Sequence, residues 1–270
     1  MEEFILKNKK DIKRVKTYIE GIDENIQGGI PENHVVLLSG TSGTMKSSVA
    51  FNIAYNEALR GQVSLYLTLE QSQYSLLKHM VNMDFDLSKI NLAILSDISK
   101  IDEAIKGFKG NKGGLIMADL SSIRKKVKDT KFTSGGDWLN AIKNLTKKAQ
   151  EGANCSIFVL DSMSALYVLS QFDDPRSKLF FIFEFLRDLG LTSFLISEIP
   201  ASKNMFSEFG VEEYLADGII HLQLTERYRK VTREISVVKM RATDCNNDIF
   251  TLEFKDRKFR ALYGGKTPVI

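Results

Sequence analysis

The chain has 270 residues, enough for one large domain or one domain with an appendage. Its 37 basic and 34 acidic side chains leave a formal charge of +3, too near neutral to argue for a nucleic-acid partner. With 43% hydrophobic and 26% charged residues it reads as a soluble globular protein; two distant cysteines, Cys155 and Cys245, exclude a disulfide framework or a zinc knuckle and fit a reducing, cytoplasmic setting.

Residues 1–16 are predicted as a basic N-terminal arm, 17–262 as one α/β domain and 263–270 as a short tail. The opening "MEEFILKNKKDIKR" lacks the apolar run of a signal peptide. "HVVLLSG", 34–40, is a short apolar run ending in glycine, and so a buried strand. "MKSSVAFNIAYNEALRG" then shows helical spacing at Val49, Ile53, Ala54 and Leu59, and stops at Gly61. Alternation continues: strand 62–70, helix 71–83, strand 91–97, helix 100–108. Residues 110–136 are expected to hold one strand and an exposed basic loop carrying Arg124, Lys125, Lys126, Lys128 and Lys131. Helix 137–152, strand 155–162, helix 175–190 and strand 191–197 follow. The apolar stretch from 179 to 196 carries Glu184, Arg187 and Asp188, too polar for the roughly 20 residues that span a membrane. Phe180, Phe181, Phe183 and Phe185 wrap its helix and read mostly as core, and Trp138 as packing. The last third, 218–226, 233–242 and 248–256, is strand. The order predicts a central, mostly parallel sheet flanked by helices and extended by C-terminal antiparallel strands.

The chemistry begins between the first strand and the first helix. "GTSGTMKSS" (Gly40, Thr41, Ser42, Gly43, Thr44, Met45, Lys46, Ser47, Ser48) resembles the phosphate-binding pattern G-x-x-x-x-G-K-[ST], with methionine in place of the second glycine. A strand feeding a loop that feeds a helix is the geometry a phosphate cradle needs, because backbone N–H groups and the helix N-terminus converge on an anion. In that reading Lys46 reaches the β- and γ-phosphates and Ser47 ligates Mg²⁺. Methionine removes the backbone freedom of glycine, although Gly43 keeps some permissiveness in the loop. The residues alone leave open a helix N-terminus with an incidental lysine. Asp161 ends an apolar strand, where an acid can hold Mg²⁺ through water or simply begin a turn. Glu70 ends another strand, where it can polarise a water or interact with a helix N-terminus.

Taken together, "YIEGIDENIQGGIPENHVVLLSGTSGTMKSS", "GQVSLYLTLEQ", "IFVLDSMSAL", "LTSFLISE", "GVEEYLADGII" and "VVKMRATD" make the chain resemble the KaiC-like ATPases of the RecA superfamily over about residues 16–260. The resemblance implies a RecA-like P-loop fold, ATP with Mg²⁺, and assembly into homo-oligomeric rings, commonly hexamers, with nucleotide at subunit interfaces. It places Glu70 at the catalytic glutamate. It likens Lys239 and Arg241 to a basic pair that reaches the γ-phosphate of the neighbouring subunit; on residues alone they also fit the solvent face of an edge strand. Ser197 and Glu198 fall at a strand end where they could sense the γ-phosphate or simply satisfy each other. Asp217 and Gly218 read as a turn. The chain departs from the family at Met45 and at Gln71, where a second glutamate is common, and carries no clear autophosphorylation segment.

The expected function is therefore a slow, ring-forming regulatory ATPase that docks a regulatory protein. One alternative is a nucleotide-binding scaffold that hydrolyses little, favoured by Met45 and Gln71. The other is a recombinase-like filament on DNA, against which the near-neutral charge argues.

Overall fold

The computed structural model describes residues 8–97, 100–108, 112–119, 135–170, 174–199, 205–227 and 229–263. Its strands are β1 (Arg14–Val15), β2 (Ile19–Glu20), β3 (Ile30–Pro31), β4 (Val35–Gly40), β5 (Val63–Thr68), β6 (Asn91–Leu95), β7 (Gly114–Asp119), β8 (Cys155–Asp161), β9 (Thr192–Glu198), β10 (Gly218–Arg227), β11 (Lys230–Met240), β12 (Phe250–Lys255) and β13 (Lys258–Tyr263). The helices are α1 (Lys46–Leu59), α2 (Gln73–Asn82), α3 (Ile101–Lys106), α4 (Gly135–Ala153), α5 (Met163–Ser170), α6 (Pro175–Asp188) and α7 (Val211–Leu215).

Among the described residues eleven strands form one sheet in the order β2-β13-β12-β11-β10-β4-β9-β8-β5-β7-β6. From β10 to β6 every pairing is parallel; β11, β12 and β13 extend it antiparallel, as the strand order in the sequence implied. Strand β4 is buried at all six positions because both its faces are covered. Val36 and Leu38 join a core with Val49, Phe51 and Ile53 of α1, while Val35 and Leu37 join a second core with Leu145, Leu179 and Phe183. The chain leaves β4 toward β5 and returns to β10 on the other side, so β4 stands where the winding reverses and a crevice opens at the carboxyl ends of the strands.

Three features depart from the sequence expectation. Arg14 and Val15 are not part of a loose arm: they pair with Pro31 and Ile30, and the Arg14 guanidinium donates to the Gly29 carbonyl at 2.8 Å and Thr243 Oγ1 at 2.8 Å. Gly29, with φ of 140°, lies where a Cβ would come within 2.5 Å of the Val15 carbonyl oxygen, which explains the glycine before Ile30-Pro31. Asp23 in "GIDEN" closes this entry by accepting from Thr17 N at 2.8 Å and Tyr18 N at 3.2 Å. Second, Phe180 and Phe181 are 44% and 56% exposed; of the four phenylalanines of α6 only Phe183 is fully buried and Phe185 is partly so. A single helix face meets the core, and four near-consecutive positions cannot share it. Third, strand β13, helix α5 and the two-residue strands were not expected; pieces of two residues carry no readable period. Trp138 packs in the core as expected. Segment 114–119 is the strand expected within 110–136, and the basic run 124–131 lies outside the described residues. Among the described residues no helix is long and apolar enough to cross a membrane.

Candidate functional site

Strand β4 delivers the loop and α1 receives it. Gly40 has φ of 153°, and a Cβ there would sit 2.0 Å from the Leu222 carbonyl oxygen of β10. Thr44 Oγ1 donates to the Thr41 carbonyl at 2.8 Å, drawing the loop into a closed turn. Met45 occupies the left-handed region, φ 75° and ψ 24°, and its carbonyl accepts the Val49 N–H at 2.9 Å, so α1 starts directly behind it. The backbone thus keeps the conformation that glycine provides at this position, while the thioether packs against the core on the α1 side. A left-handed non-glycine residue costs about 1–2 kcal/mol. Met45→Gly and Met45→Ala lose the same side-chain packing, but only glycine removes the strain. Met45→Gly is therefore expected to melt about 2–6 °C above Met45→Ala, a comparison read by thermal unfolding.

The start of α1 has no side-chain cap and no acidic residue in its first turn, which leaves its N–H groups directed into the crevice for an anion. Lys46 is only 6% exposed; its ammonium donates to the Thr41 carbonyl at 2.7 Å and lies 3.6 Å from Glu198 Oε1. Burial lowers its pKa, against the charges of Glu198, Glu70 and Asp161. Ser48 Oγ is 3.4 Å from His79 Nε2.

Two strand ends bring the acids. Asp161, at the end of β8, accepts the Tyr66 hydroxyl at 2.7 Å, with the Ser47 hydroxyl nearby. Burial pushes its carboxyl up to about 6, with the neighbouring Tyr66 and Ser47 hydroxyls pulling it down. A hydroxyl beside a buried carboxylate suits Mg²⁺, which takes one or two protein oxygens and completes its shell from phosphates and water. Among the described residues no group of three or more His, Cys, Asp or Glu is placed to hold a metal ion by itself. Glu70 follows β5, which pairs Thr68 with Asp161 across the sheet. The Ser162 hydroxyl, in the next residue after Asp161, donates to Glu70 Oε1 and fixes that carboxylate at the rim.

Together these groups line a cleft of about 1030 Å³. The loop from Ser42 to Ser48 forms its floor, Glu70, His79 and Met83 one wall, and Thr251 to Lys255 the other. Arg233 of β11 also enters it, donating from Nε to the Gly43 carbonyl at 3.2 Å. Lys239 and Arg241 do not reach this cleft. Lys239 donates to the carbonyls of Ala216 at 2.7 Å and Glu213 at 3.0 Å, and Arg241 pairs with Asp217 Oδ1 at 2.9 Å. Asp217 is more than a turn: it also accepts the Val35 N–H at 3.0 Å and pairs with Arg187 at 3.1 Å. These contacts lie at the start of β4, the end of the sheet opposite the loop.

The profile of the KaiC ATPase family matches residues 15–260. The chain belongs to the KaiC ATPase family. A UPF0273 protein of Saccharolobus solfataricus is 32% identical over 235 residues, covering 86% of this chain and 76% of that one. A UPF0273 protein of Thermotoga maritima is 28% identical, covering 91% of this chain and 94% of its own length. The crystal structure of a KaiC-like protein from Pyrococcus horikoshii superposes with a TM-score of 0.70 at 25% identity, covering 93% of this chain and all of that one.

Within this KaiC-family site, sequence reasoning missed three side chains. Tyr66 and Ser162 hold the two acids; Tyr66 lies inside β5 and Ser162 just past the end of β8, and neither position signals the acid it meets on another strand. Arg233 was missed because its approach to Gly43 depends on how β11 registers against β10, with Arg233 opposite Leu224. A bulge at Val238 then turns the strand, so Lys239 lies opposite Ile219 on the other face from Arg233. By alternation alone Arg233, Lys239 and Arg241 would share one face.

Proposed function

We propose that the chain binds Mg²⁺ and ATP in this cleft and hydrolyses ATP slowly, within a homo-oligomeric ring that works as a regulatory switch for a protein partner. The observation that carries the reading is the convergence of Lys46, Ser47, Asp161 and Glu70 on one cleft floored by a closed phosphate loop. Lys46 and the N–H groups of the loop would hold the β- and γ-phosphates. Ser47 and, through water, Asp161 would hold Mg²⁺, which when bound neutralises charge on the transferring phosphoryl group. Glu70, held by Ser162, would orient the attacking water and take its proton as the new P–O bond forms and the β–γ bridge breaks. Arg233 would add a second positive charge from the same chain.

Lys239 and Arg241 fit a role across a subunit boundary, because they occupy the opposite end of the sheet from their own loop and the Arg241 side chain is 51% exposed. Glu70→Gln is expected to keep nucleotide binding while losing on the order of 10²–10⁴-fold in turnover. If that variant hydrolyses ATP at the wild-type rate, Glu70 is not the base. Native mass measurement with and without Mg·ATP tests the ring, and a species that stays monomeric in both conditions rejects it. Mixing Lys46→Ala with Arg241→Ala tests the shared site: a ring that joins an intact loop from one subunit to an intact arginine from the next recovers activity neither variant has. Nucleotide-driven assembly with no turnover above background would instead favour the scaffold reading, to which Met45 and Gln71 lend support.

A further inference from the structure

Beneath the phosphate loop, three polar side chains stand in one row across the middle of the sheet. Ser197 of β9 is in register with Ser39 of β4, and Ser39 with His221 of β10. All three point to the face opposite α1, because Val35 and Leu37, Leu195 and Ile219 at matching alternation belong to the second core. Each carries a buried polar atom without a hydrogen-bond partner among the described residues: Ser197 Oγ, Ser39 Oγ and His221 Nδ1. Both serines are fully buried, and the imidazole is covered edge-on by Phe206 at 5.1 Å between ring centres.

Three orphaned atoms side by side in a core are costly, since a buried polar group almost always finds a partner. Neighbouring strands lie about 4.8 Å apart, and none of the three atoms bonds the next directly. A water in each gap, making bonds of about 2.8 Å on both sides at its ordinary angle, spans about that distance. The end groups supply a direction. Burial holds the imidazole below its ordinary range, helped by the charge of Lys46 and opposed by the polar side chain of nearby Gln223. A neutral ring that gives its proton on one nitrogen accepts on the other. The two serines can each donate and accept in turn.

We propose that Ser197, Ser39 and His221 hold a chain of buried water that ties β9, β4 and β10 together under the phosphate loop. The position gives the tie its consequence. Ser39 precedes Gly40, the first residue of the loop. Ser197 precedes Glu198, the ion-pair partner of Lys46. His221 precedes Leu222, whose carbonyl abuts Gly40. Loosening the row loosens all three supports of the loop at once.

Thermal unfolding without nucleotide separates a bridged row from genuine orphans, and its outcome does not depend on what binds in the cleft. If the row holds water, Ser39→Ala, Ser197→Ala and His221→Leu each strand the remaining members. Each is expected to lower the melting midpoint by roughly 3–6 °C. The Ser39→Ala/Ser197→Ala double variant is expected to fall short of the sum of its singles, as members of one network do. If the atoms are true orphans, removing a hydroxyl relieves its desolvation cost; serine variants that melt at or above the wild-type temperature overturn the proposal. The wild-type protein supplies a check independent of any variant: a crystal structure resolving ordered solvent should show density between Ser197, Ser39 and His221. A dry row there, or direct side-chain bonds in place of solvent, overturns it equally.

Discussion

Lys46→Ala is expected to cut ATP turnover on the order of 10²–10³-fold and to abolish the thermal shift that Mg·ATP gives the wild-type chain. The charge removed is the one the loop is built around. Lys46 is nearly enclosed, its ammonium is held 2.7 Å from the loop's own Thr41 carbonyl, and three carboxylates surround it. A ligand at a hundred times its Kd stabilises the folded state by about 2.7 kcal/mol. For a chain of this size that raises the melting midpoint by roughly 5–10 °C, and the variant should show no such rise. Loss of folding does not explain the expected result. The substitution leaves Glu198 38% exposed and able to find water, and a half-exposed ion pair contributes about 0–1 kcal/mol. Turnover assays and melting curves, each with and without Mg·ATP, check both arms. A Lys46→Ala protein that keeps the nucleotide-dependent shift would remove the phosphate role from this lysine.

Gly40→Ala acts on the fold itself. The residue combines a φ of 153° with a backbone oxygen, that of Leu222, at 2.0 Å from where a Cβ would stand. The clash is with main chain in a central parallel strand, so no rotamer change relieves it. To make room, β10 must separate from β4, whose pairing runs from Gly218–Val36 to Leu222–Gly40. Strain and overpacking together put the loss at about 3 kcal/mol or more, equivalent to a fall of roughly 6–12 °C in melting midpoint. Denaturant unfolding of the variant without nucleotide measures it directly. A loss below about 1 kcal/mol would mean that the sheet opens at this point more easily than its packing implies. The two unusual positions of the loop differ. At Gly40 a side chain has nowhere to go, whereas at Met45 only the backbone is strained and the side chain finds a place against the core.

Much of the fold was readable because its signals are local. The run "VVLLS" followed by a glycine and a loop marks a strand buried on both faces, and the alternation of such runs with helical spacing implies a parallel sheet. Asp161 and Glu70 were readable as acids at strand ends. That they line one cleft follows from strand order, with β8 beside β5 and one strand, β9, between β8 and β4. Pieces too short to show a period stayed hidden, among them β1, which brings Arg14 into the body of the protein. The four phenylalanines of α6 show the limit from another side: composition named them as core, but the helix turns two of them outward.

What the amino-acid sequence determined by itself was the kind of chemistry: a phosphate loop, two acids at strand ends, and a parallel sheet to present them. These depend on neighbours a few residues apart, where backbone propensity and apolar spacing decide the outcome. Only the tertiary structure decided which distant groups meet. The register of β11 on β10 brings Arg233 to Gly43, one bulge at Val238 turns Lys239 to the opposite face, and three strands in step set Ser197, Ser39 and His221 in a row. In a sheet a shift of one residue exchanges the faces of every side chain beyond it. Hydrogen bonding and packing over the whole sheet set that shift, and no short stretch of sequence contains it.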